Sequence, residues 1–448
     1  MELMDLYNKL PVFMQNAACS VEGYRINTKR YNKFFFDTLQ QYSERSKWSY
    51  SQLCEYRDRK TKEMLKHCYK TVPYYKRLFS ECGFNYETYN YIDQLSQLPI
   101  LDKQTVIDNY DQFISEAISR DKMVMTHTSG TTGSGFKFLT TNEALCEQWA
   151  VWWRYRNNLG INFNTWCYMF GGRSIVPIEQ KKSPYSRFNI PAKQEYFSAY
   201  HINDETMKWY VDEIVRRRYI WIHGYPSVIN LLADYIIENE DKISTKIKHI
   251  TTGAENLMPM QKQKIEKAFG VEPRTHYGMS EGVANFSENK NGIMYVDEDY
   301  AVTEFVPLSE GNNFEIVGTS LSNYAMPLIR YRTKDIANFK EEEKGRQVLS
   351  LDGRQEDYIV LPSGSKLGRL DHIFKDMINV REAQIYQKEK TSIEVRVVKN
   401  ERYSVKDEEN LLKEIKSRMN EIEVRIVYVD SIKKTASGKL RFVISELE

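Results

Sequence analysis

Hydrophobic and polar positions follow a helical spacing over the first part of the chain, residues 1–110. Within residues 50–69, apolar and aromatic side chains recur at helical intervals with polar residues between them, at Leu53, Tyr56, Met64 and Cys68. Val72-Pro73 predicts the end of that helix, because the residue before a proline disfavours helical geometry. Residues 98–101 predict an extended entry to a short helix that starts near Asp102.

From about residue 122 the spacing changes to short apolar runs that alternate with helical segments. The runs predict strands over 122–125, 219–223, 247–251 and 272–276, with a helix over 258–269 between the last two. Strand, helix, strand at this spacing implies right-handed crossovers and a largely parallel sheet. Later runs predict a more antiparallel region, over 303–307, 314–319 and 328–331.

The composition changes again near residues 352–357. Beyond this break, 392–398 and 423–429 alternate as strands, and 406–420 has the spacing of an amphipathic helix. The predicted fold class is therefore α/β. A large N-terminal domain, residues 1–353, has mainly parallel sheets flanked by helices, and residues 354–448 form a small α+β domain.

Composition and charge narrow the functional classes. The chain has 448 residues, with 63 Lys and Arg against 61 Asp and Glu, and a formal net charge of +2. Nucleic-acid and polybasic membrane proteins concentrate one sign of charge, so no nucleic-acid partner is expected. A 41% hydrophobic fraction excludes general disorder. No run of about 18 apolar residues occurs and the start lacks a signal-peptide pattern, so we expect a cytoplasmic protein without membrane insertion.

The six cysteines are scattered and include no C-x-x-C pair. In a chain of this length they are interpreted as reduced, mostly structural thiols rather than a disulfide framework or a zinc site.

The strongest local motif is Thr126-His-Thr-Ser-Gly-Thr-Thr-Gly-Ser-Gly135, which follows a predicted strand. Glycines allow backbone N–H groups to turn toward an anion, and Ser and Thr hydroxyls add donors for phosphate oxygens. Gly130 to Gly135 has the glycine spacing of a Walker A loop, but Phe136 stands where that loop requires lysine. A P-loop NTPase is thereby excluded, and an ordinary Gly/Ser/Thr surface loop is the alternative for the motif taken alone.

Further blocks follow in order along the chain: Thr251-Thr-Gly-Ala-Glu255, Tyr277-Gly-Met-Ser-Glu281, Arg330-Tyr-Arg-Thr-Lys-Asp335, Gly353-Arg-Gln-Glu-Asp357 and Lys434-Thr-Ala-Ser-Gly-Lys439. The first two end successive predicted strands, so they are expected at one edge of the sheet, where α/β proteins bind ligands. In this order the blocks resemble the adenylate-forming (ANL) ligase superfamily, and within it the branch of phenylacetate–coenzyme A ligases and CapK-like proteins. The resemblance runs over nearly the whole chain.

The resemblance implies an acyl-adenylate-forming ligase, an acid–thiol ligase that forms AMP and uses ATP, Mg²⁺ and coenzyme A. By similarity, the phosphate loop consists of Ser129, Gly130, Thr131, Thr132 and Gly133. The nucleotide would further be bound by Gly253, Ala254, Glu255, Tyr277, Gly278, Ser280, Asp335 and Arg354. In these implied roles Tyr277 offers its ring to adenine, Asp335 accepts from the ribose hydroxyls, and Glu281 holds Mg²⁺.

The implied catalytic residues are Lys439, Thr132 and Glu281. Lys439 would come from the small domain to the α-phosphate and the substrate carboxylate, with residues 353–357 as a hinge between adenylation and acyl transfer. The resemblance departs at three places. Two Gly-Arg-x-x-Asp-like strings occur, Gly353-Arg-Gln-Glu-Asp357 and Gly368-Arg-Leu-Asp371, and the first is chosen as the hinge because the second would leave the small domain too short for its strands. Lys137 lies one position later than the phosphate-loop lysine of many relatives, and Pro362-Ser-Gly-Ser-Lys366 replaces the expected glycine-rich segment that positions coenzyme A.

Structural interpretations of the same residues remain open. Tyr277 and Glu281 alternatively form a packed aromatic and a solvated acid, Asp335 a surface ion pair with Arg330, Arg332 and Lys334, and Lys439 part of a solvated tail. His276 either touches the acyl group or is a structural strand histidine. The tryptophans Trp149, Trp152 and Trp153 are interpreted as helix core. The acid's pocket is expected at 168–174, 223–226 and 255–257.

Three functions are kept open. The first is adenylation of a carboxylic acid followed by transfer to a thiol, expected to be coenzyme A. The second keeps the adenylation but transfers the acyl group to an amine, as an amide ligase in surface (capsular) polysaccharide biosynthesis. The third, of another class, is a catalytically silent nucleotide-binding or scaffold protein.

Overall fold

A computed structural model describes most of the chain. The described residues are 3–127, 137–171, 173, 175–203, 205–239, 246–254, 257, 259–308, 314–352, 359–367, 370, 373, 380–399, 403–419, 421–430, 432 and 443–447.

The α-helices of these residues concentrate in the N-terminal part of the chain. They are α1 (Leu3–Asn8), α2 (Val12–Arg30), α3 (Lys33–Arg45), α4 (Tyr50–Thr71), α5 (Pro73–Glu81), α6 (Lys103–Asp108), α7 (Asn142–Asn158), α8 (Met207–Arg217), α9 (Pro226–Glu238), α10 (Pro259–Phe269) and α11 (Val405–Arg418). No helix among the described residues is long and apolar enough to cross a membrane.

The described residues also form the β-strands of the fold. They are β1 (Met123–His127), β2 (Lys137–Thr141), β3 (Cys167–Gly171), β4 (Ser186–Asn189), β5 (Gln194–Ser198), β6 (Trp221–Gly224), β7 (His249–Thr252), β8 (Arg274–Gly278), β9 (Asn285–Glu288), β10 (Met294–Val296), β11 (Ala301–Pro307), β12 (Phe314–Ser320), β13 (Tyr331–Glu342), β14 (Gly345–Asp352), β15 (Ile359–Val360), β16 (Lys366–Leu367), β17 (Val380–Glu389), β18 (Ser392–Lys399), β19 (Glu423–Tyr428) and β20 (Val443–Ser445).

Helix α4 shows how local sequence sets the N-terminal helices. At its start the Ser49 hydroxyl accepts from the Gln52 N–H at 3.3 Å, and the Gln52 side chain accepts from the Ser49 N–H at 2.9 Å. This reciprocal capping satisfies two N–H groups that have no partner inside the helix. The helix ends at Thr71, and Pro73 occupies the first position of α5. A proline is tolerated there because the N–H that it lacks would have no partner within the helix. The predicted helix and its end are confirmed.

One twelve-stranded sheet runs through the large part of the chain, in the order β11-β12-β13-β14-β10-β9-β8-β7-β6-β3-β5-β4. Strands β5, β3, β6, β7 and β8 pair in parallel, whereas β9 to β14 pair antiparallel. Strands β1 and β2 form a separate antiparallel hairpin. The predicted α/β fold is confirmed, with its parallel strands and its antiparallel region in one continuous sheet.

One predicted strand is wrong over most of its length. We expected a strand over 328–331, but β13 begins only at Tyr331. Arg330 has a φ of 52°, in the left-handed region, and this ends the extended run before it. Leu101 pairs instead on both sides of Tyr331, since its N–H donates to Arg330 O at 2.8 Å and its carbonyl accepts from Arg332 N–H at 2.9 Å. The predicted extended segment at 98–101 therefore lies against the start of β13.

The helical N-terminal segment is joined to the sheet by buried ion pairs. Arg57 on α4 and Arg346 on β14 both donate to Glu298, at distances of 2.6 to 2.8 Å. Arg45 and Arg154 both donate to Asp299, at 2.7 and 2.8 Å. All of these side chains are almost completely buried, so each charge depends on its partner for compensation.

The C-terminal part forms a small unit with its own sheet and its own hydrophobic cluster. Its four-stranded sheet has the order β19-β18-β17-β20, with α11 packed through Leu411 and Ile415. The predicted small α+β unit is thus present, with strands and helix close to their predicted bounds. The predicted hinge, residues 353–357, lies outside the described residues.

Candidate active site

Two neighbouring parallel strands end in the residues that the sequence singled out. Thr251 and Thr252 of β7 pair in parallel with Arg274 and Thr275 of β8. The segment Gly253-Ala254 therefore leaves the sheet beside the strand that carries Tyr277. Ala254 has a φ of 68°, so the chain turns sharply where β7 ends. This edge, the carboxyl end of parallel strands, is where open α/β sheets bind ligands.

Tyr277 and Asp335 are in direct contact. The Tyr277 hydroxyl donates to Oδ2 of Asp335 at 2.6 Å. Asp335 lies on β13, and its own N–H donates to the Thr333 hydroxyl at 3.1 Å. Three strands separate β8 from β13 in the sheet order, so the contact requires the sheet to curl until its two parts face each other. The curled sheet brings two of the predicted nucleotide-binding residues together.

The ring of Tyr277 has a fixed orientation. It stacks on Phe286 of β9, with ring centroids 4.8 Å apart and an interplanar angle of 25°. Offset stacking of this kind adds to the burial of two aromatic rings. The ring is therefore held from its side by Phe286 and at its hydroxyl by Asp335.

Gly278 and Gly253 lie where a side chain would collide. A Cβ at Gly278 would come 2.8 Å from Asn285 Oδ1 and 3.1 Å from Trp152 Nε1, which hydrogen-bond each other at 2.9 Å. A Cβ at Gly253 would lie 3.0 Å from His276 Cε1. Both glycines keep the backbone close to neighbouring side chains, and both stand at the strand ends where a ligand is expected.

Glu281 lies in the turn that follows β8. Glu281 is 8% exposed. The next residue, Gly282, has a φ of 66°, in the left-handed region that favours glycine. Gln148 of α7 donates to the Met279 carbonyl at 2.6 Å and so anchors the turn. Ser280, in the same turn, is exposed. The solvated-acid interpretation of Glu281 is wrong, because this carboxylate is buried beside the strand ends.

The interpretation of Asp335 as an ion-pair partner of Arg330 and Arg332 is wrong, because both arginines pair with other carboxylates. Arg330 pairs with Glu304 at 2.9 Å, and Arg332 lies 3.3 Å from both Asp102 and Glu315. Their charges are therefore matched by other carboxylates. Asp335 instead accepts the hydrogen bond from Tyr277 and so lies near the end of β8.

Two histidines lie on the side of the sheet that faces α7. His276 packs against the rings of Trp152 and Tyr155, with centroids 5.5 and 5.2 Å away. Burial, and then the charge of Arg156, lower the pKa of His276 to about 3. The same two causes, with His276 in addition, hold the pKa of His223 well below its usual value. Both rings are neutral at physiological pH.

Several predicted site residues lie outside the described residues: Ser129, Gly130, Thr131, Thr132, Gly133, Glu255, Arg354 and Lys439. Of the predicted set, the structure brings together Gly253, Ala254, Tyr277, Gly278, Glu281 and Asp335 around the ends of β7 and β8. Lys137 begins β2 and pairs with His127 of β1.

The structure adds residues that the sequence did not indicate. Asn285, Gln148 and Trp152 hold the backbone around Gly278 and Met279. Trp149, Trp152 and Trp153 pack with the core cluster beneath α7, as interpreted, and Trp152 also reaches the site. No spacing in one sequence identifies such supports, because they come from distant segments and carry no motif.

Comparison with known proteins bears on the whole chain. A family model of the CapK C-terminal domain matches residues 360–446. The chain is 25% identical over 461 aligned residues to the protein CapK of Staphylococcus aureus, and the match covers 99% of both chains. It is also 25% identical to the phenylacetate-coenzyme A ligase of Pseudomonas putida, over 72% of both chains.

A solved structure shares the fold. A 2-hydroxyisobutyryl-CoA ligase in complex with 2-HIB-AMP and CoA superimposes with a TM-score of 0.54 at 17% identity, over 88% of this chain and 90% of that one. The same ligase in the postadenylation state gives a TM-score of 0.52 over 87% of this chain and 89% of that one.

The chain therefore shares the fold of an acyl-CoA ligase that was solved with 2-HIB-AMP and CoA. Its sequence is similar to CapK over 99% of its length and to a phenylacetate-coenzyme A ligase over 72%, and residues 360–446 match the CapK C-terminal domain. The resemblance predicted from the motifs is confirmed, and these relatives support the expected class of acid–thiol ligases.

Proposed function

We propose that this protein activates a carboxylic acid with ATP and then transfers the acyl group to a thiol, coenzyme A. The observation that carries the proposal is the assembly of Gly253, Tyr277, Glu281 and Asp335 around the ends of β7 and β8, with Tyr277 bonded to Asp335. Relatives that are phenylacetate–coenzyme A ligases support the same chemistry.

The reaction has two steps. In the first, a carboxylate oxygen attacks the α-phosphorus of ATP, the bond to the β-phosphate breaks, and pyrophosphate leaves as acyl-AMP forms. In the second, the thiol sulfur attacks the acyl carbonyl, AMP leaves, and the thiol proton passes to solvent. Negative charge develops around the α-phosphate in the first step, so fixed positive or hydrogen-bonding groups there lower the barrier most.

The described residues supply several of the groups that are proposed to bind the nucleoside. The Tyr277 ring would pack on adenine, and the backbone of Gly253 and Ala254 would lie along the base edge. Asp335 would accept from the ribose hydroxyls, and its bond from Tyr277 orients the carboxylate for this. Gly278 leaves room at the strand end, and Ser280 adds an exposed hydroxyl in the following turn.

Glu281 fits Mg²⁺ as a single carboxylate. No group of three or more His, Cys, Asp or Glu side chains is arranged to hold a metal in the described part of the chain. Magnesium bound to a nucleotide commonly uses one or two carboxylates together with the phosphates, so one buried carboxylate at the strand ends suffices. When bound, the ion would neutralise phosphate charge, and Glu281 would hold it.

The remaining roles belong to residues outside the described ranges. Ser129, Thr131 and Thr132, with Gly130 and Gly133, would cradle the phosphates. Glu255 and Arg354 would complete the nucleoside site. Lys439 would neutralise charge between the α-phosphate and the carboxylate. We propose two domains, 1–353 and 354–448, with rotation about 353–357 presenting Lys439 only during adenylation.

A second acceptor is favoured by one observation. Residues 362–366, which replace the expected coenzyme-positioning segment, form a closed turn between β15 and β16. Leu361 N–H donates to Ser365 O and Gly364 N–H to Leu361 O, both at 2.8 Å. Together with the end-to-end likeness to CapK, this supports an amine acceptor, as in an amide ligase of capsular polysaccharide synthesis.

Pyrophosphate exchange with a broad panel of acids tests the proposal. Acid-dependent exchange with stoichiometric consumption of coenzyme A is the expected result. Acid-dependent exchange without coenzyme A consumption, but with amide formed on an added amine, selects the second acceptor. No exchange with any acid, although ATP binds by calorimetry, selects a silent nucleotide-binding protein and overturns the proposal.

A further inference from the structure

Arg156, near the end of α7, is a buried cation that forms no ion pair with a carboxylate among the described residues. It is 5% exposed, and its buried Nε has no hydrogen-bond partner in the described part of the chain. Burial lowers the pKa of its guanidinium. Burying a charge without an opposite charge or hydrogen-bond acceptors is costly, so such a residue requires an explanation.

Arg154, two residues earlier on the same helix, shows what a structural arginine looks like here. It is also 5% exposed, and it donates to Asp299 and to Asp297, each at 2.8 Å. Among the residues that the structure describes, two carboxylates pair with Arg154 and none pairs with Arg156. The absence of a partner for Arg156 is thus a property of its own surroundings.

Aromatic rings surround the Arg156 guanidinium. Its central carbon lies 4.9 Å from the Trp153 ring centroid, 5.4 Å from Trp221 and 5.7 Å from Trp149. Ring faces attract a cation, but they accept no conventional hydrogen bond and carry no net charge. The guanidinium carbon of Arg30 lies 3.8 Å from the centroid of the same Trp149 ring and adds a second positive charge nearby. The surroundings orient Arg156 and leave its charge uncompensated.

Arg156 lies beside the proposed site. Trp221, which the Arg156 guanidinium contacts, lies 6.0 Å from the His223 ring, and Tyr155, next to Arg156 on α7, lies 5.2 Å from the His276 ring. Besides burial, the charge of Arg156 accordingly contributes to the low pKa of both histidines. His276 directly precedes Tyr277, and its ring is adjacent to Gly253. His223 lies at the end of β6, in one of the segments expected to form the acid's pocket. The cluster of Arg156, His223 and His276 is therefore continuous with the strand ends.

The two histidines are only partly buried. Their residues keep some accessible surface beside the ends of β6 and β8. In addition, Nδ1 of His276 is buried and has no hydrogen-bond partner among the described residues. A polar atom without a partner is a second indication that a ligand group completes this cluster.

We propose that Arg156 binds a second anionic group of the acid substrate, remote from the carboxylate that is adenylated. The substrate class is then an acid that carries two anionic groups, a dicarboxylic acid in the simplest case. This inference rests on the proposed function and specifies its substrate. A planar guanidinium matches a carboxylate with two parallel N–H donors, and neutral His276 adds a further donor or acceptor. The aromatic walls exclude water and so strengthen the ion pair.

Matched pairs of acids test the inference with the full-length protein. The pairs are butyrate with succinate, hexanoate with adipate, and phenylacetate with 1,4-phenylenediacetate, each assayed by pyrophosphate exchange. The wild type should prefer the dianionic member of at least one pair. Arg156→Met should raise KM for that diacid about thirtyfold or more, the scale for removing one partner of a desolvated charge pair, with kcat changed much less. Arg156→Lys should recover part of the loss.

The fold of the variants is checked by thermal unfolding. Arg156→Met should leave the melting temperature unchanged or raise it, since it removes an uncompensated charge. Arg154→Met, the matched variant on the same helix, should lower it by several degrees, since Asp297 and Asp299 lose a partner. Equal destabilisation by both variants, with no change in acid preference, would assign Arg156 to the fold and overturn the inference.

Direct binding separates this inference from the proposed function. Trp149, Trp153 and Trp221 adjoin Arg156, so binding of the preferred diacid should change tryptophan fluorescence in the wild type and not in Arg156→Met. Diacid binding that needs Arg156, without pyrophosphate exchange, supports the anion site and refutes adenylation. Exchange that is as fast with the monoacids, and equally affected by Arg156→Met in both members of each pair, refutes the anion site and leaves adenylation standing.

Discussion

The Tyr277 hydroxyl donates a 2.6 Å hydrogen bond to Asp335, a residue 58 positions later in the chain. The two belong to strands that are separated by three others in the sheet order. The bond therefore depends on the curl of the whole antiparallel region, and it connects the adenine end of the proposed site to the ribose end. A substitution of either residue should therefore weaken nucleotide binding more than it lowers the stability of the fold.

We expect Tyr277→Phe to weaken nucleotide binding while the ring still stacks on Phe286. Loss of a hydrogen bond to a carboxylate is worth about 1.5 kcal/mol or more, so KM for ATP should rise about tenfold. The value of kcat should change much less, because the hydroxyl does not contact the reacting atoms in the proposed mode. Steady-state pyrophosphate exchange at varied ATP concentration measures both constants.

Tyr386→Phe is the matched control. Its hydroxyl also donates to a carboxylate at 2.6 Å, that of Glu446, but the pair is exposed and lies in the small C-terminal unit. This variant should keep the wild-type KM for ATP. An unchanged KM in Tyr277→Phe, or an equal rise in both variants, would contradict the assignment of Tyr277 and Asp335 to the nucleotide.

Much of this architecture follows from local pattern. The helix over 50–71, the β7-α10-β8 unit and the α11 region follow from spacing, because each is built from contacts close in sequence. The motifs at 251–254 and 277–278 lie at strand ends, and chain order alone was enough to bring Gly253 and Tyr277 together. Parallel crossovers place consecutive strand ends at one edge, which explains why that part of the site could be predicted.

Other features depend on contacts that no local pattern encodes. The left-handed φ of Arg330 ends the predicted strand at 328–331, although the apolar run continues through it. The pairing of Tyr277 with Asp335 needs the curl of the sheet. Arg154 and Arg156 are indistinguishable in the sequence. Within the described ranges, however, Asp297 and Asp299 pair with Arg154, and no carboxylate pairs with Arg156.

The ion pairs at Glu298 give a prediction about stability. Glu298 accepts from Arg57 of α4 and Arg346 of β14, and it is 1% exposed. Burial alone would raise the pKa of Glu298, but the charges and hydrogen bonds of Arg346 and Arg57 lower it. Glu298→Gln should destabilise the protein by about 3 to 5 kcal/mol, because the buried Arg346 would lose its carboxylate and Arg57 would keep only Asp58, at 2.9 Å.

Denaturant unfolding of Glu298→Gln measures this loss, with Glu63→Gln as the control. Glu63 pairs with Arg59 at 2.8 Å on the surface of α4, and both side chains are about half exposed. Exposed pairs contribute about 0 to 1 kcal/mol, so this control should unfold close to the wild type. Similar losses in the two variants would show that the buried network does not join α4 to the sheet as described.

The low pKa of His276 predicts a loss of stability in acid. Burial and the charge of Arg156 bring the folded-state pKa to about 3, whereas an unfolded histidine titrates near 6.5. Between these values the unfolded chain binds a proton that the folded chain does not. Stability should therefore fall with decreasing pH below about 6.5, by up to about 1.4 kcal/mol per pH unit from this residue.

Chemical unfolding from about pH 7.5 down to about pH 4.5 tests the slope in the wild type and in His276→Gln. The variant should lose part of the pH dependence, since glutamine does not titrate. His249→Gln is the comparison, because burial also lowers the pKa of His249, but the nearby charges that lower it further are those of Lys248 and Lys290 and not that of Arg156. A slope that is reduced more by His249→Gln than by His276→Gln would contradict the placement of Arg156 next to His276.

The sharpest separation of the two half-reactions is expected from Lys439→Ala. Lys439 is proposed to neutralise charge only while the carboxylate attacks ATP, so adenylation should fall about a hundredfold or more, the scale for one preorganised transition-state partner. Transfer from chemically prepared acyl-AMP should continue at nearly the wild-type rate, because the rotated small domain would have withdrawn Lys439 from the site. Lys434→Ala, in the same lysine-rich segment, should affect neither step. Equal losses in both half-reactions would exclude a domain that alternates between two positions, and equal losses in both lysine variants would reduce Lys439 to part of a solvated charge run.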